Sequence, residues 1–308
     1  MCIIFTLSLI GNLLTCLVIY YDKSMHTTPN YYMFNLAISD FLVTLSIILQ
    51  GVEQQIIIHE NEYSNLVCVI QSFFLFSLWN SNMLMMTALA IERFVAVCHP
   101  FRLNSTRVGP KVVKKIIVMW LIAIAESALG MFSVGLIKTP KYVLCFVIPT
   151  PKARIVNGVL AIVTFVVPLT IMILAYSKIM FKVNTKQEEN TWNNTFNYQV
   201  TKRKINKFMV GMMFIFVVCW MPSFVTRLLL SVLDVDQLLN LPQWFSIVFH
   251  ICAVNTWVSA LSNPIFFCLT SVNFRRALRS FWKVKIKTMC SMNTSTYIKN
   301  ASKLDLKI

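Results

Sequence analysis

The chain has 308 residues, 57% apolar and 13% charged, with a net charge of +16 and a mean hydropathy of +0.67. A soluble domain carries about twice that charged fraction. Seven glycines and ten prolines leave little room for flexible linkers, so disorder, collagen-like repeats and a small disulfide scaffold are excluded.

A bilayer core takes about 20 mostly apolar residues per spanning helix. Seven such stretches follow one another: 2–21, 30–56, 65–97, 112–135, 155–181, 205–232 and 243–269. The expected fold is an all-α membrane protein, a single seven-transmembrane helix bundle over 1–308, with a short amphipathic interfacial helix at 271–282 and a cytoplasmic tail at 283–308. Polar residues inside spans are costly and mark function. Span one holds Gly11-Asn12, span two Asn35 and Ser39-Asp40. Span three runs from Cys68 to Arg93, twenty-five residues on, and leads into Val97-Cys98-His99-Pro100. Span four holds Trp120 and Glu126, span five Pro168 and Tyr176, span six Phe216 and Cys219-Trp220-Met221-Pro222, span seven Asn263-Pro264-Ile265-Phe266-Phe267. After span seven, Phe274, Ala277, Leu278, Phe281 and Trp282 recur at helical spacing, with Arg275, Arg276 and Arg279 on the other face. The nine cysteines fall mostly in apolar runs, and neither a zinc-ligand spacing nor a nucleophile–base pair stands out. Ten residues precede Gly11, a short outer half for span one, so a segment upstream of Met1 is expected.

Charge position sets orientation. Twenty-three of the 28 Lys and Arg belong to one set of connections, 22–29, 98–115, 178–207 and 270–308 with the neighbouring helix ends. The other side holds Lys138, Lys141, Lys152, Arg154 and Arg227. With five acids on each side and Asp40 and Glu126 within the membrane, the two faces carry +18 and 0. The N-terminus is expected outside and the C-terminus in the cytoplasm of a plasma-membrane protein. Anionic lipid and an intracellular partner account for the surplus, and nucleic acid is not needed.

Together, one per helix, these residues resemble the rhodopsin-like (class A) G-protein-coupled receptors over essentially the whole chain. The runs Met25 to Asp40 (MHTTPNYYMFNLAISD) and Ile91 to Phe101 (IERFVAVCHPF) are similar, more narrowly, to the neuromedin U, pyrokinin and capa neuropeptide receptors. The resemblance implies a receptor for an extracellular neuropeptide that activates heterotrimeric G proteins by outward movement of helix six, without catalytic activity. It implies a disulfide between Cys68 and Cys145. It implies ligand contacts at Arg227, Glu53, Gln71, Phe76, Trp220, Phe224 and His250. The activation switch would comprise Glu92, Arg93, Tyr176, Phe216, Trp220, Pro222, Asn263, Pro264 and Phe267, with Glu92 as the partner of Arg93. No cofactor is implied beyond an allosteric sodium ion at Asp40, Asn82, Ser259 and Asn263. The plainer reading of Asp40 is a hydrogen-bond node with Asn12, and that of Arg227 is snorkelling into the outer interface.

Several positions depart from the pattern. Leu75 and Trp257 stand where amine receptors carry Asp and opsins a retinal-binding Lys, so neither chemistry is available. Phe267 replaces a tyrosine, Lys202 an acid of helix six, and Gly51 and Phe76 two glutamates of the neuropeptide relatives. An orphan, decoy or non-signalling receptor therefore stays open as the alternative. A seven-helix transporter is disfavoured, because no internal repeat is visible. Whether Cys290 is palmitoylated is likewise open.

Overall fold

Helix α1 (Cys2–Tyr21) stops at Asp22, whose carboxylate accepts from the Ser24 amide and turns the chain through one 3-10 turn, Lys23–Met25. Helix α2 (Thr28–Glu60) follows, with Pro29 in its first turn, where a missing N–H costs nothing. Ser64 caps α3 (Asn65–Cys98) through the Leu66 amide. Helix α4 is Val108–Met131. Strands β1 (Val134–Lys138) and β2 (Val143–Val147) pair antiparallel, with Leu136 opposite Cys145. Helix α5 opens at Pro151–Ala161 under a Thr150 cap, passes one π turn at Ile162–Val166 and continues over Val167–Glu189. Helices α6 (Phe196–Val232) and α7 (Gln243–Thr270) follow, then a last helix, α8, at 272–283. The computed structural model describes residues 2–60, 64–99, 108–138, 143–148, 150–189, 196–233 and 243–283, and side chains over most of these.

The helices are inverted relative to a soluble bundle. Asn12, Asp40, Ser81, Asn82 and Asn157 are buried, while Ile117, Leu121, Leu174 and Val225 lie exposed on the outside, the arrangement lipid demands. Ile3–Tyr21, Thr28–Leu49, Asn65–Cys98 and Pro151–Lys182 are each long and apolar enough to cross a membrane. The central core gathers Tyr32, Leu36, Met85, Leu89, Met172 and Ile179 from α2, α3 and α5.

Each proline in α6 and α7 removes one helical donor, and the freed carbonyl four residues earlier is answered from a neighbour. For Pro222 it is Val218 O, which accepts from Asn255 Nδ2 of α7 at 3.2 Å. For Pro264 it is Ala260 O, which accepts from Asn12 Nδ2 of α1 at 3.0 Å. Gly11 permits that approach: a methyl group there would stand 3.0 Å from Pro264 Cγ.

Three boundaries differ from expectation. Helix α4 ends at Met131, not 135, because the Ser133 amide and hydroxyl both bond back to Gly130 O and turn the chain into β1. The connection 136–154, expected as a loop, contains the hairpin, whose Leu136 amide is tied to Asn65 Oδ1 on α3. Helices α2, α5 and α6 run past the apolar stretches, since propagation continues through polar residues once a helix has formed. The sequence expectations at Lys202, Trp257, Cys290 and the tail beyond 283 lie outside the described side chains.

Candidate functional site

At the outer end, where α3, α5 and α6 meet, Asn157 is the hub. It is buried on α5, and its Nδ2 donates to Arg227 O at 3.2 Å and to Ser231 Oγ. Its Oδ1 accepts from Arg227 Nε at 2.7 Å. The Arg227 guanidinium carbon lies 5.5 Å from the centre of the Phe76 ring on α3, a cation–π distance. The side chain is therefore drawn into the bundle and does not snorkel. Beyond it, Arg154 Nη1 donates to Val232 O and Leu233 O, each at 3.2 Å, and closes the outer ends of α5 and α6 together. Helix α4 approaches through Gly130, which faces Phe76 and Leu160, and Glu126 one turn inward acts electrostatically on Arg227. The Cys68–Cys145 disulfide forms and pins β2 to the outer end of α3. Gln71 sits partly buried one turn inward of it. Glu53 and His250 lie outside the described side chains, although both backbones are helical.

Below this cluster lies an aromatic layer. Phe224 stacks on Phe165 at 4.4 Å. Trp220 meets Trp79 edge-on at 6.0 Å and Phe216 at 5.7 Å, and its Nε1 donates to Ser259 Oγ at 3.1 Å. Trp79, Phe165 and Asn157 were not singled out from sequence. They occupy ordinary apolar-helix positions, and only the packing of α3 and α5 on α6 reveals them.

In the middle of the bundle, both oxygens of Asp40 are occupied. Asn82 Nδ2 donates to Oδ1 at 2.8 Å and Asn263 Nδ2 to Oδ2 at 2.7 Å. The expected node with Asn12 does not form, because Asn12 Nδ2 is used by Ser8 O and Ala260 O, both at 3.0 Å. The structure thus brings Asp40, Asn82 and Asn263 together, while Ser259 serves Trp220. Asn82 Oδ1 is buried without a hydrogen-bond partner, beside the carboxylate. An all-oxygen set with one unmatched oxygen fits a hard monovalent cation.

At the inner end, Glu92 does not pair with Arg93. Its ion pair is with Lys115 of α4, reached because α4 packs along α3 while the neighbouring Arg93 points elsewhere. Arg93 Nε is buried with no hydrogen-bond partner, and the buried Tyr176 lies within electrostatic reach. Phe267 is buried and meets Phe274 of α8 edge-on at 4.7 Å. The ring that replaces the expected tyrosine thus packs as an apolar joint between α7 and α8.

Comparison with known proteins agrees with this layout. The chain is 27% identical over 295 residues to neuromedin-U receptor 2 of Mus musculus, covering 90% of this chain and 73% of that receptor. It is 26% identical over 317 residues to the thyrotropin-releasing hormone receptor of Homo sapiens, covering 92% and 77%. A shorter match, 35% over 129 residues, joins it to the pyrokinin-1 receptor of Drosophila melanogaster, 41% of this chain and 29% of that one. The family profile for the 7 transmembrane receptor (rhodopsin family) matches residues 11–267, which includes every helix that carries the hub, the aromatic layer, the Asp40 node and Arg93. The chain belongs to the rhodopsin family of seven-transmembrane receptors.

Proposed function

We infer that this chain is a plasma-membrane receptor for an extracellular peptide, with its N-terminus outside, and that it activates intracellular heterotrimeric G proteins. The relatives named above are receptors for neuromedin U, pyrokinin and thyrotropin-releasing hormone, which supports a peptide ligand. The observation that carries the reading is Arg227, a guanidinium turned into the outer bundle and held by Asn157 and Phe76. A peptide's terminal amide or carboxylate offers the acceptor that a charged donor in such a place selects. Engagement of Arg227 draws on the same side chain that ties α6 to α5, and so transmits binding to α6. Helix α6 then pivots at Pro222, with Phe216 and Trp220 repacking, and uncovers Arg93 for the G protein. This is conformational coupling and needs no catalytic group. Asp40, Asn82 and Asn263, with Ser259 near, would hold a sodium ion, whose role there is to favour the closed bundle.

The test is a calcium-mobilisation screen of amidated neuropeptides on wild type and Arg227→Ala. An agonist that loses tenfold or more in potency on Arg227→Ala is expected (about 1.4 kcal/mol). An agonist indifferent to that change would remove the anchor, and silence across the screen would favour a non-signalling receptor.

A further inference from the structure

We propose that Glu126 is the carboxylate that receives a cationic side chain of the peptide ligand, beside the anchor at Arg227. The inference rests on the peptide-receptor reading and extends it to the chemistry of the second contact. Glu126 lies on α4, a membrane helix, and is partly buried. Its neighbours fix its direction. Ser127 accepts from Asn80 of α3 at 3.2 Å, and Gly130, one turn outward on the face of Glu126, lies against Phe76 and Leu160. Glu126 is thereby held at the seam of α3, α4 and α5, under the ring on which the Arg227 guanidinium rests.

A carboxylate in this position needs a partner, because desolvating an unpaired charge is costly. Among the described residues Glu126 has no hydrogen bond and no ion pair, and Arg227 is the charge that acts on it. Direct contact between the two is absent because Arg227 is already committed: its Nε to Asn157 and its face to Phe76. The other described carboxylates are distant in role, with Asp40 saturated by two amides, Glu92 paired to Lys115 and Asp22 capping a turn on the inner side. The outer cluster thus presents one positive and one negative group that do not touch. A ligand that bridges them carries an acceptor for Arg227 and a guanidinium or ammonium for Glu126. A neutral or acidic peptide would satisfy only the first.

Wild type and Glu126→Gln are challenged with synthetic C-terminally amidated peptides, each arginine-containing peptide paired with a twin carrying uncharged citrulline. On wild type the arginine form should be favoured by about tenfold or more. On Glu126→Gln the twins should become equipotent, and Glu126→Asp, which keeps the charge, should retain the preference. The ratio is taken on one receptor, so surface level does not enter it. A Glu126→Gln receptor that keeps the full preference, or a wild type that shows none, overturns the proposal and leaves the peptide reading intact. A wild type that answers no peptide overturns both.

Discussion

Lys115 governs what Glu92 can do. While the ammonium holds that carboxylate, Arg93 lacks its adjacent acid, and the closed state loses one of its fastenings. Lys115→Ala frees Glu92 to turn to Arg93, and basal, ligand-independent nucleotide exchange should fall. Lys115 is 56% exposed, so the effect is small, under about 1 kcal/mol and at most several-fold. Unchanged or higher basal exchange would contradict it. Asn157 is a stronger case, since it is buried and serves Arg227 and Ser231 at once. Asn157→Ala strands the Arg227 donor, which should destabilise the folded receptor by about 1–3 kcal/mol, read as a lower melting temperature in detergent. Neither role was legible in the chain: Glu92 and Arg93 are sequence neighbours and invite pairing, and the partner that wins is 23 residues away.

The helices show where sequence reading succeeds and where it stops. Pro222 and Pro264 announce from sequence that Val218 and Ala260 lose a donor, yet nothing in the chain says which side chain replaces it. Asn255 stands 37 residues from Val218 and Asn12 stands 248 from Ala260, so only the packed bundle assigns them. The spans themselves, the Cys68–Cys145 bridge and the family signature were readable, because each rests on hydropathy or on residues fixed in order along the chain. The hairpin was not, since its strands are five residues long and look like the apolar helix ends around them. Removing the α7 donor with Asn255→Ala leaves a carbonyl unmatched at the kink of α6. It should weaken the coupling of α6 to α7 and change agonist efficacy more than agonist affinity, as measured by paired binding and exchange assays. Gly11→Ala forces a methyl against Pro264 and should cost about 1–3 kcal/mol by overpacking, measurable as a drop in thermal stability.

Taken whole, the molecule carries its charge on one side. Of the net +16, the inner connections and helix ends account for +18, the outer ones for 0 and the buried acids for the remainder. The bundle presents apolar side chains outward and a continuous polar thread inward, from Asn157 and Arg227 through Trp220 and Asp40 to Arg93. An N-terminal epitope should be labelled on intact cells and a C-terminal one only after permeabilisation; the reverse would contradict the charge-based orientation. That thread has meaning only if a signal travels along it. The direct measurement is nucleotide exchange on a heterotrimeric G protein in membranes bearing this receptor, with an amidated peptide agonist from the screen added. The account predicts exchange that rises with peptide concentration and shifts to higher concentration on Arg227→Ala. Exchange that no peptide alters, in membranes where the receptor is displayed at the surface, would contradict it.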